Sequence, residues 1–546
     1  MTTRQQSLVR RWAALLAVSL GVFAITFDGS MMPVAIGSIV SAFGVEVGMV
    51  QAAMALHSLV MASTYLAAGK LADRVGEKRI FVTGALIFAG GTLVAAMSPS
   101  VWILLLGWSC IKPVGGAMMI PAASTLIVLN YRGQQRATAF AMFSAFVAAA
   151  AVLGPLWMGL IAGALSWRVA FVSESLLIAL VLLFAAVVRE QPGKREARFD
   201  GVGALLTFTG LGLVVLGATL AGEFGWWQAR RPFMVGDADL SPLGLSAATV
   251  FMLAGVVVLM AFAMWSSLQT RRGRTPLFQL RLFRKRVFSL GVALGFLFQL
   301  TVGGLLFVLP VFLQSALQLG PLDTSLVLLP YTLGIFVFAL GTSRLPPRIP
   351  AVRIVQVGLL LMVIGAVWVR ATASLDLDWT SLVPALFVFG AGAGMALSRL
   401  SVVTLAPMVA DELGEASGGD ATGRELGVAF GVSVLGSIFL AMTYGGVVHS
   451  YDAYHGLPQT TPEERQQAIV ELEDWASKLT QDDWEAYLDS LPPVLSSAYE
   501  SIVAGAYLAS YQATLTILVV VVILMFALSW YIAVPSATDR PRDSSA

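Results

Sequence analysis

The chain has 546 residues, 57% of them hydrophobic and only 12% charged, where ordinary soluble domains carry about 25% charged residues. With a mean hydropathy of +0.81 and repeated apolar runs of about 20 residues, this composition excludes a water-soluble globular protein and defines a polytopic membrane chain. The formal net charge of +2 excludes nothing, because in a membrane protein the placement of charge matters more than its sum.

The start, "RQQSLVRRWAALLAVSL", has the basic edge of a signal peptide but runs straight into a long span, with more spans behind it. It reads as a retained first helix. A helix-length window gives about fourteen spans, centred near Val22, Leu59, Ala89, Pro113, Val147, Ala179, Leu211, Val256, Leu300, Leu329, Leu361, Gly392, Val434 and Val521. An even number puts both termini on one side. Arg4, Arg10 and Arg11, then "GKLADRVGEKR", "NYRGQQR", "REQPGKREAR", "QTRRGRTPLFQLRLFRKR" and "SRLPPRIPAVR", all fall on that side. The positive-inside rule makes it cytoplasmic. Arg230 and Arg231 are the clearest exceptions among the opposite loops. The last outer loop, 446–508, is acidic; "TTPEERQQAIVELEDWASKLTQDDWEAYLDSLPP" within it predicts one or two short amphipathic helices. They would serve either as a solvated lid or as a gate for a partner or substrate.

The first span holds the first chemical signal. Within "FAITFDGSMMPVAIGSIV" (23–40), Asp28 is the one carboxylate. An ionised Asp at the bilayer centre costs roughly 3 kcal/mol, so its retention points to function. His57, Lys112 and Glu174 come next, in spans two, four and six. Counted along their helices, all four lie roughly 20–24 Å from the cytoplasmic edge. They form either a functional cluster at a cavity or a structural ion pair, in which Lys112 would take Glu174 or Asp28 as partner. In the second half, Arg399 is the clearly embedded charge; it either contacts substrate or snorkels inward.

Other chemistries find few residues. Lys70 and Lys194 each come after a Gly but lack the rest of a phosphate-binding loop, and neither a zinc spacing nor a nucleophile elbow occurs. Three His and the single Cys110 leave little for metal or covalent chemistry and no intrachain disulfide. The expectation is a carrier driven by ions, with no enzyme activity, no cofactor, no metal and no nucleic-acid partner.

Several motifs resemble those of a known family. "GKLADRVGEKR" (69–79) is similar to the loop signature between spans two and three of the major facilitator superfamily. Gly69 and Gly76 permit a tight loop, while Asp73 sits among Lys70, Arg74, Lys78 and Arg79. "AVLGPLWMGLIAG" (151–163) resembles the antiporter motif of span five, with Gly154, Pro155 and Gly159 in place and Met158 where the family has a second Gly. "SWRVAF" (166–171) comes next, as in the family's outer loop. "FDGVGALLTFTGLGLVVLGATLAGEFGWW" (199–227), "PLFQLRLFRKRVF" (276–288) and "GEASGGDATGRELGVAFGVSVLG" (414–436) resemble segments of its fourteen-span drug:proton antiporter branch.

The resemblance implies an all-α polytopic fold of two six-helix bundles plus two central extra helices. The divisions would be 1–190 for the first bundle, 191–285 for the additional helices and their basic connection, and 286–546 for the second bundle with the acidic segment 446–508. "FDGSMMPVAIG" resembles the family's span-one pattern, in which the carboxylate, here Asp28, is implicated in proton coupling or cation binding. Span four departs: Ser109 holds the position of the family's Arg, Lys112 that of its Gln and Pro113 that of its first Gly. His57 stands where the family usually has Tyr, and Glu174 where it has Asn.

The function expected from the resemblance is proton-coupled export of small, amphipathic molecules by alternating access. The carrier would sit in the plasma membrane as a monomer, with protons, lipid and a small-molecule substrate as its partners. A dedicated exporter of an anionic or zwitterionic metabolite or lipid is the alternative within transporters. A non-transporting receptor or scaffold is the alternative from another class.

Overall fold

A computed structural model describes residues 3–186, 188, 200–230, 233–235, 238–239, 244–274, 276–343, 345, 349–375, 379–409, 412–454, 461, 464, 467, 469 and 493–532. Among them, fourteen helices are long and apolar enough to cross a membrane. In chain order they are α1 (Trp12–Phe43), α2 (Val47–Ala72), α3 (Glu77–Ala96), α4 (Val101–Asn130), α5 (Thr138–Ala164), α6 (Trp167–Ala185) and α7 (Gly201–Phe224). The second half of the chain supplies α8 (Ala247–Arg271), α9 (Arg286–Ser315), α10 (Pro321–Thr342), α11 (Ala351–Thr372), α12 (Leu382–Leu405), α13 (Leu413–His449) and α14 (Ser501–Ser529). Each of the fourteen expected span centres falls inside one of them. A two-residue antiparallel hairpin, Met234–Val235 with Ala238–Asp239, lies between α7 and α8.

These helices are apolar on nearly every side, because lipid places no penalty on an outward Leu. On α8, Leu253, Val256, Val257, Met260 and Met264 are all exposed. Small side chains select the packed faces. Helices α1–α6 form one bundle, in which α1 packs on α4, α5 and α6, and α3 on α4 and α6. Helices α9–α14 form the other, with α9 on α13 and α14 and α12 between α10 and α11. The bundles meet along two seams, α5 against α10 and α2 against α13. The extra pair is central in sequence but peripheral in space: α8 leans on α7, and α7 packs on α2 and α13.

Asp200 organises the end of that pair where α7 begins and α8 stops. It caps α7 by accepting from Gly203 N at 2.9 Å, and it also accepts from Trp265 Nε1 and Leu277 N, each at 3.0 Å. The connection into α9 is pinned in turn, with Lys70 donating to the Pro276 carbonyl, Gln279 to Glu415 and Lys285 to Glu412.

Gly154 and Gly159 show why the span-five motif needs glycine. A Cβ on Gly154 would lie 2.0 Å from Ser30 Oγ and 2.7 Å from the Phe27 carbonyl of α1; one on Gly159 would lie 2.8 Å from the Pro321 carbonyl of α10. The first contact holds a bundle together and the second holds one of the seams. Gly154→Leu should therefore cost about 1–3 kcal/mol through overpacking and lower the melting temperature in detergent. Gly163→Ala, which meets nothing within 4 Å, should leave it unchanged. Equal melting of the two variants would refute close packing at Gly154.

One expectation needs correction. Segment 446–508, expected as an outer loop, is not loop throughout, because the α13 helix continues to Tyr454 and the helix that becomes α14 begins at Pro493. Backbone hydrogen bonds extend a helix past the point where hydropathy ends, so polar ends such as "HSYDAY" carry no hydropathy signal. A Cβ on Gly446 would come within 3.1 Å of Ala506 Cβ, so the two helices touch there. The expected amphipathic helices fall almost wholly outside the described residues. Within them, Thr461 and Glu464 form a capping box, Thr461 N donating to Glu464 Oε2 at 2.8 Å and Glu464 N to Thr461 Oγ1 at 3.2 Å.

Candidate functional site: a buried charge cluster and its seam

Four helices of the first bundle bring the embedded ionisable groups together. Lys112 Nζ on α4 donates to Asp28 Oδ1 on α1 at 2.5 Å and to Glu174 Oε2 on α6 at 2.6 Å. The ammonium therefore pairs with both candidates rather than with one. Trp108 Nε1 donates to the same Asp28 Oδ1 at 2.9 Å. His57 on α2 stacks on the Trp108 ring, with centroids 4.3 Å apart, and its Nδ1 lies 2.8 Å from the Trp108 carbonyl. The rings of Phe88 and Phe171 flank Lys112 Nζ at 4.8 and 5.0 Å, adding cation–π attraction. Side-chain exposure is 0% for Lys112 and 1% for Asp28. The cluster is sealed rather than open to a cavity, a geometry nearer the ion pair than the cavity cluster of the two expected arrangements.

The local fold of α4 explains how Lys112 reaches this point. Residues Leu105–Ile111 form a π-helical turn immediately before it. Pro113 lacks the N–H that would bond back into that turn, and a π turn rotates the residues after it relative to those before it. Ser109, at the family's Arg position, is buried, and its Oγ has no hydrogen-bond partner among the described residues.

With all three groups ionised, the ammonium and two carboxylates carry a net charge of −1. Asp28 Oδ2 and Glu174 Oε1 are buried and accept no hydrogen bond among the described residues. Among the described residues no group of three or more His, Cys, Asp and Glu is placed to hold a metal ion.

The α2–α13 seam carries polar groups that sequence reasoning missed. Gln51 Nε2 lies 2.9 Å from both the Val432 and Ser433 carbonyls and 3.2 Å from Ser437 Oγ. Those carbonyls belong to a second π turn, Gly431–Leu435, and Gln51 takes up bonding capacity left over there. Thr422 Oγ1 donates to the Ala62 carbonyl at 3.2 Å. Across the neighbouring α1–α9 contact, Gly37 N donates to Gln314 Oε1 at 2.7 Å. On α13, buried Asp420 accepts from Ser401 Oγ at 3.0 Å and pairs with Arg424 at 3.4 Å. The i,i+4 spacing of Asp420 and Arg424 inside an apolar span was the available signal.

The remaining predicted residues lie apart from the cluster. Gly69 is near the C-terminal end of α2, and Gly76 turns the chain into α3 with φ 111°. Arg74 is exposed, Lys78 Nζ donates to the carbonyl of Ala186, just past α6, at 3.2 Å, and Arg79 sits in the first turn of α3. The Asp73 side chain lies outside the described residues. Pro155 is buried within α5 between its two glycines. Arg399, proposed for a substrate cavity, is half-buried, and its guanidinium donates to the Thr342 carbonyl at the end of α10.

Two six-helix bundles meeting along paired seams, with charges sealed inside one of them, define a membrane transporter. The chain belongs to the Major Facilitator Superfamily, whose sequence model matches residues 18–439. It is 29% identical to the "Probable actinorhodin transporter" of Streptomyces coelicolor, over 81% of this chain and 75% of that protein. It is 26% identical to the "Multidrug efflux pump LfrA" of Mycolicibacterium smegmatis, over 81% and 82%. Among solved structures, a bacterial homolog of the human lysosomal transporter Spinster, inward-facing and unoccupied, superposes with a TM-score of 0.60 at 16% identity, covering 96% of this chain and 98% of that one. That likeness establishes the fold alone. The protein is a multi-pass membrane transporter and not an enzyme.

Proposed function

We propose that this transporter exports small amphipathic molecules in exchange for protons, by alternating access at the α2–α13 and α5–α10 seams. The observation that carries the reading is Lys112 held between Asp28 and Glu174 with two carboxylate oxygens unpartnered. One proton on either carboxyl neutralises the cluster and supplies the missing hydrogen. Sealed ionisable groups of this kind mark proton relays in membrane proteins. A proton entering the cell is worth about 2.3 kcal/mol per 100 mV, before any pH gradient adds to it. The printed names of the relatives, an antibiotic transporter and a multidrug pump, support efflux as the direction. Termini on the cytoplasmic face of the plasma membrane and a monomeric carrier complete the reading.

A cargo defined by negative charge is disfavoured. Lys112 is enclosed by two carboxylates, so the first bundle's cation is not offered to an anion. The test is transport in sealed vesicles of purified protein, with pH gradient and membrane potential imposed separately on cationic, neutral and anionic cargoes. The expected result is cargo movement driven by the pH gradient alone and opposite in direction to the proton. Indifference of every cargo to the pH gradient would overturn it.

A further inference from the structure

Helix α1 is held by both bundles, on either side of a proline. The stretch before Pro33 is bonded to the first bundle. Asp28 accepts from Lys112 and Trp108 of α4, and Ser30 Oγ donates to the Ala150 carbonyl of α5 at 3.1 Å. After Pro33 the second bundle takes hold. Gln314, in the last turn of α9, accepts from Gly37 N at 2.7 Å through Oε1 and donates from Nε2 to the Val34 carbonyl at 3.1 Å. One amide thus engages a donor and an acceptor on a single turn of a helix in the other bundle.

Only glycine permits this grip. In a regular helix the N–H of residue 37 points along the axis to the carbonyl four residues back; here a side-chain oxygen from another helix reaches it. A Cβ on Gly37 would collide with Gln314 Oε1 and lie 3.3 Å from its Cδ, so any other residue displaces the amide. Pro33 supplies a bending point between the two grips. It has no N–H for the Gly29 carbonyl, and sharp bends in helices concentrate at proline.

Asp28 and Gly37 are nine residues apart, about 13–14 Å along the helix. Movement of one bundle past the other at the α1–α9 contact must therefore break one of the grips or bend α1 at Pro33. The grips differ in strength. Charge-assisted hydrogen bonds are roughly twice as strong as neutral ones, so the two neutral bonds of Gln314 yield first while the cluster is ionised. With the cluster neutralised, α1 is held less firmly by its own bundle and stays with the second.

We propose that Gln314 is a positioning residue for proton exchange: its amide holds α1 for the second bundle, in competition with the charge cluster that holds it for the first. The inference rests on the exporter reading for the proton. Gln314 itself touches neither proton nor cargo. It closes the α1–α9 contact, and the charge of the Asp28 cluster sets how readily that contact opens.

The test places spin labels on Ser41, exposed near the end of α1, and Leu322, exposed at the start of α10, in full-length protein whose single cysteine, Cys110, is replaced by Ala. Pulsed electron spin resonance in lipid nanodiscs reads the distance between them. Gln314→Leu should raise the long-distance population at least threefold. Gly37→Ala, which displaces the amide without altering it, should do the same. Gly29→Ala on the same helix, which meets nothing within 4 Å, should not. Asp28→Asn should lower that population at least twofold while Gln314 is present and leave it unchanged in Gln314→Leu. Native-like populations in Gln314→Leu and Gly37→Ala, or an equal rise in Gly29→Ala, would overturn the clamp. An Asp28→Asn effect of the same size with and without Gln314 overturns the competition, because a merely structural contact would not depend on the cluster. If Gln314→Leu misfolds, Gly37→Ala decides in its place, and a native-like population there counts against the clamp. Vesicle flux of tetraphenylphosphonium, progesterone and fluorescein under an imposed pH gradient separates the two proposals. Distances that change as stated without gradient-driven flux of any probe sink the exporter and keep the clamp. Gradient-driven flux with distances indifferent to Gln314→Leu and Gly37→Ala sinks the clamp and keeps the exporter.

Discussion

Lys112→Met is expected to be among the most destabilising single substitutions in the first bundle. It preserves side-chain volume but leaves Asp28 and Glu174, each at most 1% exposed, facing one another without a cation. Breaking a buried pair by removing one partner costs about 3–5 kcal/mol, mostly from the uncompensated charge left behind. The melting temperature in detergent should fall markedly. Because the ammonium bonds both carboxylates, neutralising only one of them should restore stability in part. The triple variant Lys112→Met, Asp28→Asn, Glu174→Gln should recover most of the loss, since an apolar or neutral replacement of a whole buried ion cluster is often near neutral. Melting of the singles, doubles and triple supplies the interaction energy. Strictly additive losses would mean that the three groups do not interact.

Asp28→Asn should separate transport from folding. The amide keeps the shape of the carboxyl and can still accept from Trp108 Nε1, which donates at 2.9 Å in the native protein. It also leaves Lys112 and Glu174 as a pair of zero net charge at 2.6 Å. The fold should therefore survive, with a melting temperature close to native. Cargo movement driven by a pH gradient should be lost, because neutralising Asp28 removes the excess negative charge that makes room for a proton. Asp28→Glu should retain part of the activity. Vesicle flux under an imposed pH gradient, set beside cargo binding in detergent, reads both effects. Full gradient-driven flux in the Asn variant would refute proton coupling at this cluster.

Much of the architecture was legible in the chain, for reasons specific to lipid. A bilayer offers no hydrogen-bond partner to the backbone, so every apolar run of sufficient length becomes a helix, and all fourteen spans lie where hydropathy places them. The glycines of "AVLGPLWMGLIAG" announced a close approach, and α1 and α10 are the helices that approach. The ends of α13 and α14 that border segment 446–508 were not legible, because a helix outlasts the apolar stretch that hydropathy detects.

The chemistry was legible by depth alone. Asp28, His57, Lys112 and Glu174 could be set at one level by counting 1.5 Å per residue, yet depth leaves helix rotation open. Rotation is decided by packing, and in α4 also by the π turn at Leu105–Ile111. For that reason both carboxylates claim Lys112, where one-dimensional spacing offered a choice between them. The same limit hid the contacts of Gln51 and Asp420, whose partners Val432 and Ser401 come from other helices, the first through a carbonyl opened by a π turn. By itself, then, the sequence determined the number of helices, which residues lie in the membrane interior, and which charges are too costly to be accidental, because all three depend on local transfer free energy. Only the tertiary structure decided which of those charges meet and which are sealed. Those outcomes depend on how the helices rotate against one another, and in lipid that is set by close packing and polar contacts, with no hydrophobic pull to favour one face of a helix over another.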